Sequence, residues 1–279
     1  MATEHNNHEI PQYRAIALDL DGTLTNNAKE VTPATCKALL KAQSLGVHII
    51  LASGRPTYGI EPVANCLNLE QTGGYVLSYN GGKIIDWKNK NEIYSQHLPK
   101  DVIPTIYKYA KDKGYALLGY VDNHIVTESP DDQYVIEESR INKMEIKKVD
   151  NLLQNIESNP TKLLMTGSPT DMIKAEEQLR DILDAKMDVF RSAPFFIELV
   201  PKGIDKALSL QRLLGKLNLT SQDLMAFGDG YNDLSMLRFA GLGVAMANAA
   251  PEVRGEADYV TLSNEEDGVA YAIEKFLIH

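Results

Sequence analysis

Several short runs of this chain are apolar almost throughout: "RAIALDL" (14–20), "VHIILA" (47–52), "YVLSY" (75–79), "LMAF" (224–227) and "LGVAM" (242–246). A strand with one face in water alternates apolar and polar residues, so continuous apolar runs need cover on both faces. The segments between the runs can supply that cover as helices. In "VTPATCKALLKAQSLG" (31–46), Thr32 suits an N-cap, Pro33 the first helical position and Gly46 the end of the helix. "TYGIEPVANCLNL" (57–69) predicts a second helix, interrupted near Pro62. In "IDKALSLQRLLGKLNL" (204–219), Leu210, Leu213, Leu214 and Leu217 share one helical face. "NDLSMLRFAG", "PEVRGEA" and "YVTL" continue the alternation, and "SNEE" (263–266) has the form of a capping box before the last helix. The expected fold class is α/β, a doubly wound parallel sheet.

Between about 86 and 199 the texture changes. Strand-like pieces ("YALLGYV", "HIVTES", "TKLLMTG", "FFIELV") are interspersed with polar helical stretches, and Asp122-Asn123 suits a tight hairpin. This middle part reads as an α+β domain, 86–199, inserted into a discontinuous core of 1–85 and 200–279. Flanking Gly and Pro residues suggest hinges near 83–87 and 198–203.

A net charge of −10 argues against non-specific nucleic-acid binding, which needs a basic surface. It leaves room for anionic substrates, because a site can be locally positive or hold a metal. No apolar run approaches the ~20 residues of a membrane span. The N-terminal "MATEHNNHEIPQ" lacks the apolar stretch of a signal peptide, so the expectation is a cytoplasmic protein without membrane or nucleic-acid partners. Cys36 and Cys66, in helix-like apolar segments, are expected as buried small hydrophobes rather than a disulfide.

The unusual polar residues fall just beyond the apolar runs. In a doubly wound sheet, the loops at the carboxyl ends of the strands carry function. One loop holds Asp19, Asp21 and Thr23, a second holds Ser53, Gly54 and Arg55, and a late one, "GDGYND", holds Asp229, Asn232 and Asp233. If these loops share one sheet edge, four carboxylates converge. Such a group is tolerable when a divalent cation neutralises it, and hard oxygen ligands with few protein carboxylates suit Mg²⁺. A Ca²⁺ loop of the EF-hand kind fails, because the sixth position counted from Asp19 is Leu24 rather than Gly. A dinucleotide fingerprint fails at Met246, where "GLGVAM" lacks the third glycine, and no Walker A stretch is present.

Taken together, "DLDGTLT", "LASGR", "PKGIDKALSL" and "GDGYNDLSML" resemble the four motifs of the haloacid dehalogenase (HAD) superfamily. The "SYNGG" turn and the site of the large insert resemble its Cof-type branch, which carries an α/β cap between motifs two and three. The resemblance covers nearly the whole chain after the first dozen residues. It implies a Rossmann-like core with an inserted cap, and a Mg²⁺-dependent phosphatase for small phosphorylated metabolites, sugar phosphates first among them. Asp19 would be the nucleophile and Asp21 the general acid and base. The metal would be held by Asp19, the Asp21 carbonyl, Asp229 and Asp233, the last directly or through water. Ser53, Gly54, Lys206 and Asn232 would hold the phosphoryl oxygens. Both Lys202 and Lys206 are candidates for the third-motif lysine, and the branch's pattern favours Lys206. Thr23 is expected to position Asp21. Arg55 and Asn80 are candidate substrate contacts that equally suit a surface ion pair and plain turn chemistry. In the cap, Asp122, His124 and Arg191 are candidates against ordinary solvated roles. The competing functions are a phosphosugar mutase and a catalytically silent phosphometabolite-binding protein. The chain is expected as a monomer or small homo-oligomer.

Overall fold

A computed structural model describes residues 12–156, 159–183 and 186–278. The N-terminal stretch behind the signal-peptide argument lies outside them, apart from its last residue. The chain divides into two compact units, one of Met1–Ile50, Thr72–Gly74 and Gln211–His279, the other of Leu51–Gln71 and Tyr75–Leu210.

In the first unit the strand Ala15–Leu18 pairs in parallel with Leu224–Gly228, which pairs with Leu242–Ala245, which in turn pairs with Tyr259–Val260. The first three of these strands are buried along their whole length, as their unbroken apolar character requires. The helix Pro33–Ser44 starts as expected, with Thr32 Oγ1 accepting from the Thr35 amide and Pro33 in the first turn. It packs against the C-terminal helix Gly268–Phe276. The "SNEE" contact also forms, Ser263 Oγ donating to Glu266 Oε2 at 2.7 Å. That contact closes a turn rather than capping the helix, which begins only at Gly268. The reason is Asp267, held at φ +57° with its carboxylate taken by the hydroxyls of Thr32 and Thr35.

In the second unit, Tyr75–Ser78, Lys83–Asp86 and Asn91–Ser95 form antiparallel pairs. The helix Thr57–Cys66 runs through Pro62 without the interruption expected there. A six-stranded sheet has the order Met187–Ala193, Phe196–Pro201, Leu163–Thr166, Ala116–Val121, His124–Thr127, Glu145–Lys148. All its pairs are antiparallel except the last. The Asp122-Asn123 hairpin is present, with Val121 opposite His124 and Asp122 at φ +51°. One face of this sheet builds a core from residues such as Leu117, Leu163, Met165, Ile197 and Leu199. The other face builds a second core around Leu118, Leu164 and Phe196. The stretches expected as hinges lie largely in paired strands, Lys83–Asp86 and Phe196–Pro201.

The fold is thus α/β, a doubly wound parallel sheet with an inserted α+β domain. One sequence expectation about packing fails: Cys36 is half-buried and Cys66 exposed, because each falls off the buried stripe of its helix.

Candidate active site

Parallel pairing brings two distant acidic residues to one edge. Leu18 lies opposite Phe227, and the Asp19 amide donates to the Phe227 carbonyl at 3.0 Å. The chain leaves the two strands at Asp19 and, one residue after Gly228, at Asp229. Asp233 joins them from the short turn Tyr231–Asp233. Its Oδ2 accepts from the amides of Asp229 (3.1 Å) and Gly230 (2.9 Å), and the side chain is fully buried. Asp19, Asp229 and Asp233 each offer an oxygen within 4.8 Å of the others.

Glycine is needed twice here. Gly22 sits at φ +84°, and a Cβ on it would collide with the Asp229 carboxylate. A Cβ on Gly228 would collide with the Asp233 side chain. Both absences let backbone and carboxylates share one small volume. The three oxygen donors suit a hard divalent cation, which removes the repulsion among like charges.

One neighbour of this cluster differs from expectation. Thr23 donates from Oγ1 to Asp229 Oδ1 at 2.7 Å, so it orients Asp229 rather than Asp21. Asp21 is outside the cluster and pairs with Lys29 at 2.6 Å, both side chains being partly exposed. Leu20 between the two aspartates is wholly buried, which separates the directions of its neighbours. Sequence reasoning missed Lys29 and also Asn248, whose amide donates to the Gly22 carbonyl at 2.8 Å. Nothing in the spacing of either residue signals its target.

The second unit assembles the motif-two residues around Ser53. Its amide donates to the Leu77 carbonyl, its carbonyl accepts from the Asn80 amide at 2.9 Å, and its Oγ accepts from the Arg55 amide at 3.2 Å. Gly54 packs so closely on the Asn80 amide group that a Cβ there would lie 3.2 Å from it. The Tyr79 amide donates to the Arg55 carbonyl, while the Arg55 guanidinium donates to the Gly59 carbonyl at 3.1 Å. Ser53, Gly54, Arg55 and Asn80 therefore form one knot of loop. Lys206 opens the helix Lys206–Lys216 and is almost fully buried, whereas Lys202 is exposed and pairs with Asp188 at 3.2 Å. Asn232 is exposed. Among the cap candidates, Arg191 is held by Glu176 at 2.6 Å and His124 lies 3.7 Å from Glu145, while Asp122 lines a cavity.

A parallel α/β sheet with an acidic oxygen cluster at its strand ends, in a chain with an inserted α+β domain, suits metal-assisted chemistry on an anionic substrate. The haloacid dehalogenase-like hydrolase family pattern matches residues 16–273, and the chain belongs to that family, in its Cof-type branch. It is an enzyme of the phosphatase kind. The putative phosphatase YxeH of Bacillus subtilis is 32% identical over 270 residues, covering 95% of this chain and 99% of its own. The 5-amino-6-(5-phospho-D-ribitylamino)uracil phosphatase YcsE of the same organism is 30% identical over 267 residues, covering 95% and 96%. A haloacid dehalogenase-like hydrolase from Bacteroides thetaiotaomicron superposes with a TM-score of 0.92 at 49% identity, covering 94% of this chain and 99% of that one.

Proposed function

We propose that this enzyme is a Mg²⁺-dependent phosphatase for small phosphorylated metabolites, sugar phosphates above all, working through an aspartyl-phosphate on Asp19. The observation that carries the reading is the crowding of Asp19, Asp229 and Asp233 at two adjacent strand ends. Asp19 attacks phosphorus while Asp21 gives its proton to the departing alkoxide. Asp21 then takes a proton from the water that attacks the aspartyl-phosphate, releasing inorganic phosphate and restoring Asp19. Splitting one hard displacement into two easier ones is the gain of the covalent route, and the proton transfers use a carboxyl placed for both steps.

Asp19, Asp229, Asp233 and the Asp21 carbonyl would hold the Mg²⁺, which when bound offsets the negative charge of both carboxylates and phosphate. Thr23 fixes the Asp229 carboxylate, and Lys29 orients that of Asp21. Ser53, Gly54, Lys206 and Asn232 hold the phosphoryl oxygens, with Lys206 adding charge to the amide groups at its helix start. Arg55 and Asn80 meet the substrate beyond the phosphate. The catalytic core is 1–85 and 200–279, and the cap, 86–199, chooses the leaving group. The phosphorylated ribityl compound named for YcsE supports a hydroxylated substrate. Among the described residues no helix is long and apolar enough to cross a membrane; a cytoplasmic location is part of the proposal.

The test is a panel of several dozen phosphorylated metabolites with Mg²⁺, ranked by kcat/KM with free phosphate and isomerised ester both measured. Sugar phosphates giving free phosphate are expected. Isomerised hexose phosphate without free phosphate would establish a mutase instead, and no turnover of any ester would overturn the enzyme reading.

A further inference from the structure

The second unit carries an open cavity of about 460 Å³. Tyr79 lines it, directly after the strand Tyr75–Ser78 that leads into the Ser53 knot, so within this unit the cavity adjoins the proposed phosphate loop. Tyr120, from the six-stranded sheet, faces Tyr79 across 6.0 Å between ring centres. Burial first, then the Glu138 and Glu198 carboxylates, push the Tyr120 phenol well above its usual range. It therefore stays neutral and donates to Glu138 at 2.6 Å.

Lys162 lines the same cavity and is only 4% exposed. Its ammonium donates to Glu198 Oε1 at 2.9 Å and lies 5.8 Å from the centre of the Tyr120 ring. An ammonium has three N–H donors, and among the described residues Glu198 is its one hydrogen-bond acceptor. Glu198 Oε2 is buried and has no hydrogen-bond partner among the described residues. A buried ion pair gives little net stability against well-packed apolar residues. A lysine kept dry beside a cavity with donors to spare is a recognition group in waiting.

The charges around it say what it recognises. Lys83 is engaged by Glu92 at 3.0 Å and Lys162 by Glu198, while Lys90 lies over the Trp87 ring at 3.6 Å. Glu61 and Asp122 also line the cavity, and among the described residues neither has an ion-pair partner. A second phosphate or carboxylate would meet these two acids; of the three lining lysines only Lys90 is not engaged by a carboxylate among the described residues, and His97 also lines the cavity. A hydroxyl both donates and accepts, so it can satisfy Lys162 and either acid.

We propose that Lys162, anchored by Glu198, is a specificity-determining residue that donates to a hydroxyl oxygen of the leaving group and favours uncharged, hydroxylated leaving groups over those with a second anionic group. This rests on the phosphatase reading above. The test compares wild type, Lys162→Met and Lys162→Met/Glu198→Gln on three probes: p-nitrophenyl phosphate, the best sugar monophosphate of the panel, and its bisphosphate counterpart. The double variant leaves no lone buried charge, so it keeps the test open if the single one fails to fold. Wild type should prefer the monophosphate to the bisphosphate at least tenfold. The variants should lose about 10- to 100-fold in kcat/KM on the monophosphate, the scale of a hydrogen bond to a charged group, and less than about threefold on p-nitrophenyl phosphate. Equal loss on both esters, no loss on either, or a wild type that prefers the bisphosphate would overturn the proposal. A wild type that hydrolyses p-nitrophenyl phosphate but no sugar monophosphate would also overturn it while leaving the phosphatase reading intact. Failure on every ester would instead defeat the phosphatase reading itself.

Discussion

In the first unit three carboxylates, Asp19, Asp229 and Asp233, are gathered within 4.8 Å of one another. In the second, Lys162 and Glu198 are buried as one pair of opposite sign, 2.9 Å apart. Both arrangements take charge out of water, which is costly unless it is compensated. The pair compensates itself. The triad holds like charges and is suited to a cation and a phosphate from outside the chain. On the proposed reading, the contrast separates two uses of buried charge, one that drives chemistry and one that reads the substrate. Their variants should therefore fail in different measurements.

The largest effect is expected at the triad. Asp19→Asn should lower kcat by about 10⁴-fold or more, the scale of losing a nucleophile that acts as part of a unit, with little change in the urea midpoint. Wild-type turnover by this variant would erase the distinction between the two regions. The next effect is one of stability, at the pair. Lys162→Met leaves Glu198 buried without its cation and should cost about 3–5 kcal/mol, read from urea unfolding. Lys162→Met/Glu198→Gln should recover most of that loss. If the single variant is as stable as wild type, the pair is not desolvated as described.

Thr23→Val sharpens the comparison by touching the triad indirectly. Removing the hydroxyl that fixes Asp229 Oδ1 should weaken Mg²⁺ binding about 10- to 100-fold, as loss of a supporting contact to a metal ligand does. Activity should return toward wild type at saturating Mg²⁺. A lower kcat with unchanged Mg²⁺ dependence would contradict the positioning role.

The smallest effect concerns a half-buried carboxylate, Glu128, whose charge serves neither purpose. Burial pushes the Glu128 carboxyl up, but the Lys111 ammonium, the Leu152 amide and the Tyr107 hydroxyl together hold it below the usual glutamate range. A depressed value in the folded state means that its stabilisation is complete above the ordinary glutamate pKa and is lost as pH falls through the depressed one. Glu128→Gln should therefore be slightly less stable than wild type near neutrality, with the gap closing toward acid pH. A gap that widens on acidification would reverse the sign.

Much of this was legible in the sequence because it depends on local rules. Unbroken apolar runs marked the buried strands, Thr32 and Pro33 marked a helix start, and aspartates immediately after such runs marked the sheet edge. What was not legible depends on contacts between residues far apart in the chain. Thr23 lies two residues from Asp21, yet its hydroxyl reaches Asp229. Asp267 breaks the helix expected from "SNEE" because threonines more than two hundred residues earlier take its carboxylate. The Lys162–Glu198 pair did leave a signal: a single charge in each of two otherwise uncharged strand-like segments, "TKLLMTG" and "FFIELV". A lone charge on a buried strand must find a partner, and reading the two together would have found this one.

Whether Asp19 carries the phosphoryl group is read by acid-quenching a single turnover with radiolabelled phosphate ester and Mg²⁺, then mapping the labelled peptide. Label is expected on the peptide containing Asp19 and expected to be absent in Asp19→Asn. Turnover with no label on the protein, or label on a different residue, would contradict it.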